Sequence, residues 1–348
     1  MTTVYLIRHA EAEGNLYRRC HGHYDSTITD NGYRQIAALA KRFADVPIDA
    51  AYSSDLTRTQ TTALAITRTH NLPLRLDARL REVGVGVWED KTWTWLTKFD
   101  RAQMLNFNTD AGVWRAEGAE TMAQVRQRMM AALRDIIAAH PNQSVALFSH
   151  GMALRLLIGT LNGLSIAEID KTGHGENTSV TKLEADDAGI RVVYATDASH
   201  LPEALTTLHK QLWTKTKGGL EPGIWFAPDS EAPGRFLAMQ DDEIVGAVAV
   251  GAPENDGTAT IEEFWLDEIA QHRNLGIRLV GQAISYARSL GCDTLLSALR
   301  RSDTDAIECA MRYGFTAVRG LPRSVVLEKY FGKEEAYRIA RFDEAMRA

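Results

Sequence analysis

Three short apolar runs, each cut off by polar or charged residues, set the narrowest limit on how this chain folds. "VYLI" at 4–7 meets Arg8 and His9, "AAYSS" at 50–54 meets Asp55, and "SVALFS" at 144–149 meets His150. Helical periodicity fills the gaps between them. Thr29 is placed to cap a helix carrying Ile36, Leu39, Ala40 and Phe43, and Leu56, Gln60, Ala63 and Ile66 mark a second helix. Thr121 to Ala139 marks a third, and a fourth follows His150. Such alternation specifies a mostly parallel sheet with helices on both faces, a three-layer α/β/α domain. "ENTSVTKLEA" and "GIRVVYAT" add two strands that close it.

At 348 residues and 45% hydrophobic side chains the chain suits two cores. "DASHLPE" carries the turn residues of a boundary near 200, dividing the chain into 1–202 and 203–348. The second part has a different order: "RFLAMQDDEIVGAVAVG" reads as a hairpin, "ATIEEFWLDEIA" as a strand and "IRLVGQAISYARSLG" as a helix. Strand, helix and strand follow, while "GGLEPGIWFAPDSEAPG" reads as a long loop. This predicts a second α/β domain.

A formal charge of −6 argues against nucleic-acid and anionic-membrane partners and leaves room for a local basic pocket. Cys20, Cys292 and Cys309 are too few and scattered for a disulfide framework. The first apolar run is too short for a signal peptide, and no uncharged run reaches membrane-spanning length, so a cytoplasmic location is expected. The oligomeric state stays open.

In open parallel sheets ligands bind at the carboxyl ends of the strands, where Arg8, His9 and His150 fall. Arg58 in "SSDLTRTQTTA" begins the helix after the second strand and reaches toward the same crevice. Guanidinium forks match phosphate oxygens, and an imidazole serves as nucleophile or donor. Breaking a phosphomonoester also needs a proton for the departing oxygen, and Glu82 in "ARLREVGVGVWED" is the best acid on that side. "CHGH" at 20–23 packs its ligand atoms too closely to surround one ion, so no metal is expected there.

These residues resemble the histidine phosphatase superfamily, also called phosphoglycerate mutase-like. "RHAE" is similar to its opening motif, with Ala10 where glycine is usual. "GHYDSTITDNGYRQ", "SSDLTRTQTTA", "LREVGVGVWEDKTW", "EGAET", "FSHG" and "NTSVTKLE" follow in the family's order. The resemblance implies His9 as nucleophile, Arg8, Arg58 and His150 as phosphoryl ligands, Glu82 as proton donor, Asn15 and Gly22 beside them, and no cofactor. The partner it implies is a small phosphorylated metabolite. The family's mutases continue after their glutamate with Arg-His-Tyr-Gly, where this chain has Val83-Gly84-Val85-Gly86, which favours hydrolase over phosphoglycerate mutase. Trp88, Trp93, Trp95, Phe99, Phe107 and Trp114 crowd the segment that in this family often covers the site, either packing a lid or shaping an apolar leaving-group pocket.

The second part is similar to the GCN5-related N-acetyltransferase (GNAT) fold. Its pyrophosphate-binding run corresponds to "QHRNLG", implying Gln271, Asn274, Leu275 and Gly276 as residues cradling acetyl-CoA or another CoA ligand. Ala306, Gly314 and Phe315 match a further segment, with Asp303 where asparagine is usual. Ala310 stands where the proton-donating tyrosine is usual, which leaves Tyr313 as the substitute acid if acetyl is transferred at all. The competing reading is an acetyltransferase or acyl-CoA-binding protein whose first domain only recognises phosphate.

Overall fold

The computed structural model describes residues 1–211, 216, 219–221, 223–254, 256–267 and 275–348. Two sheets organise it. The first contains β1 (Thr2–Arg8), β2 (Ala50–Ser53), β3 (Leu74–Leu76), β4 (Ser144–Ser149), β5 (Val180–Asp186) and β6 (Gly189–Asp197), in the order β3-β2-β4-β1-β5-β6. The four inner and leading strands are parallel, and β5 and β6 add antiparallel at one side. Register is set so that Arg8 pairs with Ser149 and Ser53 with Phe148. The three apolar runs therefore end level with one another, and the residues just past them converge.

Helices cover both faces as their periodicity demands. Thr29 accepts a hydrogen bond from the Gly32 amide to start Asp30–Phe43, and Thr121 does the same from Gln124 for Met122–Ala139. Ile36, Leu39 and Phe43 from the first of these bury against Ile7 and Phe148, while Leu133 and Ile136 from the second bury against Leu6 and Leu147. Helix Gly151–Leu161 is apolar nearly all round and is buried accordingly.

The second sheet has β7 (Trp225–Pro228), β8 (Arg235–Gln240), β9 (Glu243–Val250), β10 (Thr258–Leu266), β11 (Thr294–Arg300), β12 (Thr316–Gly320) and β13 (Ser324–Tyr330), in the order β12-β13-β11-β10-β9-β8-β7. Three features differ from the expectation. The Gly/Pro-rich stretch contains β7, because Trp225 to Pro228 pairs with Phe236 to Met239 at the sheet edge, where proline is tolerated. The last strand is a hairpin, β12 with β13, around Leu321 to Arg323. A final helix, Glu335–Arg347, packs on the first domain, burying Phe342 in the core that holds Ile7 and Ile36.

Between the two sheets lies helix Leu275–Ser289, whose outer side meets the loop after β1. A Cβ on Gly281 would lie 2.6 Å from Tyr17, so only glycine permits this approach. Arg288 bonds Glu13 and the Tyr24 hydroxyl, and Asp90 accepts from Arg19 and Ser285. No described helix is long and apolar enough to cross a membrane.

Replacing Phe342 by Ala removes a buried ring that joins the chain terminus to the first core. The expected cost is about 3 kcal/mol, read as a lower urea midpoint, with the terminal helix losing amide-exchange protection first.

Candidate active site

His9 follows β1 directly and its amide bonds Ser149 O at 3.0 Å, which fixes it above the sheet edge. Its Nδ1 lies 2.7 Å from Ala10 O. A carbonyl only accepts, so Nδ1 carries the proton and Nε2 keeps a lone pair. Burial, then Arg58, Arg8 and His21, hold the His9 pKa well below the ordinary histidine value, so the ring is neutral at physiological pH. Ala10 in place of glycine fits because its backbone avoids the left-handed region, and its amide bonds Thr62 Oγ1 at 2.9 Å.

Arg58 opens helix Thr57–Thr67 and is wholly buried. Its Nε donates to His150 Nδ1 at 3.1 Å, Nη1 to Tyr24 O at 2.9 Å, and Nη2 to His21 O and Gly22 O at 3.1 and 2.7 Å. Four of the five N–H groups of a guanidinium are thus committed, leaving one on Nη1. Because Arg58 can only donate, His150 must accept at Nδ1 and carry its proton on Nε2, which faces Ser54 Oγ at 2.9 Å. His150 is neutral, its pKa pushed well down by burial and by Arg58. Gly22 has to be glycine here, since a Cβ would meet Val83 O at 2.3 Å.

Arg8 donates Nη1 to Gly175 O at 2.6 Å and leaves its buried Nε without a partner. Burial lowers its pKa, and lowers that of Arg58 to about 10, so both remain charged at neutral pH. Neither pairs with a carboxylate among the described residues. Nearby Glu82, Glu176, Asp25 and Glu89 favour their charges only from a distance, and two buried cations without a direct ion pair beside neutral imidazoles favour a bound anion.

Glu82 closes the opposite wall. Its Oε1 accepts from Val83 N at 3.0 Å and Ala153 N at 2.9 Å, and Oε2 from Met152 N at 3.1 Å. It therefore sits at the start of the helix that follows His150. Asn15 Oδ1 accepts from Ala12 N and Asn177 Nδ2, and Asn177 Nδ2 also bonds His9 O at 2.9 Å. A cavity of about 940 Å³, its mouth included, is lined by Arg8, Asn15, His21, Gly22, Glu82 and Gly151. Behind the cavity-lining His21 the His9 ring stands 5.5 Å away, and it lies 5.3 Å from the ring of His150.

The structure thus gathers His9, Arg8, Arg58, His150, Glu82, Asn15 and Gly22. His21, Asn177, Arg155 and His174 were not anticipated, although His21 and Asn177 lie within the quoted motifs. "CHGH" comes apart: Cys20 enters the core, His21 meets the site, and His23 Nε2 faces Glu82 O. The aromatic segment also divides. Trp88 and Trp114 are core, Trp93 and Phe107 line the cavity, and Phe99 packs on Trp225 of the second sheet. Of the CoA candidates, Gln271 and Asn274 lie outside the described residues, while Leu275 is buried and Gly276 faces Tyr313, whose hydroxyl the Ile277 amide reaches.

A neutral buried imidazole, two buried guanidiniums without a direct ion pair and a carboxyl in the cavity wall make a site suited to a phosphoryl group. The chain belongs to the histidine phosphatase superfamily (branch 1), whose family model matches residues 4–198, and it carries a fused Acetyltransferase (GNAT) family domain, matched over 203–315. It is 34% identical over 209 residues to the probable phosphoglycerate mutase GpmB of Cronobacter sakazakii, spanning 58% of this chain and 95% of that one. Among solved structures, Bacillus stearothermophilus YhfR superposes with a TM-score of 0.56 at 30% identity, covering 57% of this chain and 99% of that one. A mycobacterial glucosyl-3-phosphoglycerate phosphatase bound to VO3 gives a TM-score of 0.53 at 26% identity, covering 56% and 99%.

His9, His21 and His150 all have folded pKa values depressed below 6.5. The unfolded chain binds protons below that pH which the folded chain refuses, so their stabilisation is present above about pH 6.5 and lost as pH falls. Each contributes up to about 1.4 kcal/mol per pH unit. The urea midpoint is expected to drop steeply between pH 7 and pH 5, and replacing His21 by Asn should flatten that slope.

Proposed function

We propose that this protein hydrolyses phosphomonoesters through a phosphohistidine at His9 Nε2. The supporting observation is the tautomer lock: the Ala10 carbonyl holds the proton at Nδ1 and leaves Nε2 as the basic nitrogen. Nε2 attacks phosphorus in line, the P–O bond to the leaving group breaks, and protonated Glu82 delivers its proton to the departing oxygen. Water then attacks the phosphohistidine while Glu82 takes back a proton, and inorganic phosphate leaves. Arg8, with most of its fork uncommitted, grips the equatorial oxygens. Arg58 adds charge and one N–H, and His150 is the further neutral donor once its Nε2–H moves from Ser54 Oγ to a phosphoryl oxygen. No step requires a cofactor.

Hydrolysis is favoured over mutase action by the wall that follows Glu82. Val83 and Val85 are buried there and line the cavity, offering no charged group to retain a phosphoglycerate while it turns. The curated mutase-named relatives and the phosphatase neighbours share the fold, so the distinction rests on this wall.

His9→Ala should lower hydrolysis of p-nitrophenyl phosphate in EDTA by at least about a thousandfold and abolish an acid-labile phosphoenzyme in rapid-quench gels. Glu82→Gln should retain binding of inorganic phosphate while slowing turnover by about a hundredfold, less so for nitrophenyl esters than for alkyl esters, whose leaving groups need the proton more. Full activity of folded His9→Ala overturns the assignment. Interconversion of phosphoglycerates at rates matching hydrolysis would make the protein a mutase.

For the second domain the favoured reading is CoA binding. Pairing of β10 with β11 stops at Ile261 and Ser297 although the strands run on to Leu266 and Arg300, which leaves room between their ends for an extended ligand. The bound thioester would supply an activated acyl group. Ala310 offers no proton donor, and the Tyr313 hydroxyl lies at Gly276 and Ile277. Calorimetric titration with CoA tests this directly.

A further inference from the structure

The cavity is not built by the first domain alone. Leu208 and Gly219, beyond the domain boundary, also line it. Glu176, next to the carbonyl that holds Arg8, accepts from the amides of Thr207, Leu208 and His209 at 2.8 to 3.0 Å. Gln211 and Glu221 continue the covering. Arg18 lines the cavity and gives Nη1 to Gln211 Oε1 at 2.8 Å and Nε to Glu221 Oε2 at 2.9 Å. The other oxygen of Glu221 takes Arg278, from the helix that begins at Leu275, at 2.6 Å. Glu221 is buried, and although burial alone would raise its pKa, Arg18 and Arg278 hold it below the ordinary value.

We propose that the described residues between Thr207 and Glu221 roof the phosphatase site, with Leu208 bounding the space for the leaving group and Glu221 acting as a positioning residue that fixes Arg18 at its rim. This rests on the phosphatase reading above and extends it to the class of substrate. Arg18 is neutralised by Glu221, and Arg155 is turned to the carbonyls of Thr172 and Ile169. Apolar Val83, Val85, Trp93, Met104, Phe107 and Leu208 make up much of the remaining wall, with Asn108 and His174 as its polar members. Such a chamber favours an apolar or aryl leaving group over one bearing a second anion, since the cations on that side already have partners and the surface gains by dehydration. Because Glu221 also holds Arg278, the second domain sets the width of a pocket whose chemistry belongs to the first.

The experiment compares binding of phenylphosphonate, which occupies both the phosphoryl position and the roofed chamber, with inorganic phosphate, which needs only the former. Calorimetry on the full chain should show Leu208→Trp and Glu221→Gln each weakening phenylphosphonate at least tenfold while phosphate stays within twofold. Esterase kinetics should follow, with KM for p-nitrophenyl phosphate rising and kcat changing less. A folded Leu208→Trp protein with an unchanged phosphonate-to-phosphate ratio overturns the roof. If Glu221→Gln unfolds, Arg278→Met tests the same contact from its other side, with an unchanged ratio again counting against it. Should the parent bind both probes in the expected ratio yet hydrolyse nothing, the roof stands and the hydrolase reading falls.

Discussion

Arg58 is the constraint on which the site depends. A wholly buried guanidinium cannot be left to water, so its donors must be met inside the fold. Meeting them organises nearly everything else. Carbonyls of His21, Gly22 and Tyr24 bend the loop after β1 around it, and Nδ1 of His150 accepts from it and is thereby fixed in one tautomer. Its charge adds to burial in depressing the pKa of His9 and, with Arg8, creates the positive field that a phosphoryl group completes. One residue thus joins burial in keeping His9 neutral and supplies counter-charge for a bound anion.

The same loop carries the second consequence. Held from below by Arg58, its outer surface is free to be covered, and the helix Leu275–Ser289 covers it through Tyr17, Arg19 and Glu13. The two domains therefore share a boundary at the mouth of the site instead of on a remote face. Buried ion pairs such as Arg18–Glu221–Arg278 contribute little net stability after desolvation, but they are exacting in geometry. Their value here lies in fixing where the second domain sits.

Much of this was legible along the chain. The layered first domain followed from the apolar runs and the helical spacing between them, because periodicity reports which face of an element is buried. His9, Arg8 and His150 were legible because each stands directly after a strand, and parallel strands bring those ends together. Arg58 and Glu82 were legible from the strands they follow, although nothing local fixes where a helical arginine or a loop glutamate points. His21 was legible only within "CHGH", where spacing speaks to metal binding and says nothing of a role beside His9. Leu208 and Glu221 had no local signal at all, since their partners Glu176, Arg18 and Arg278 are distant in sequence. The terminal helix was missed for a similar reason: its buried residue, Phe342, meets the first core instead of its own domain.

The sequence by itself determined the two cores, the strand order's parallel centre and the chemical inventory of the site, because these depend on local periodicity and on residue type. Tertiary structure decided the protonation pattern and the enclosure. Which nitrogen of His9 carries the proton depends on a carbonyl turned toward it, and which state His150 adopts depends on a donor from another helix. Whether the cavity is open or roofed depends on a segment of the second domain. Each is a matter of direction and distance between groups far apart in the chain, and folding alone brings them within reach.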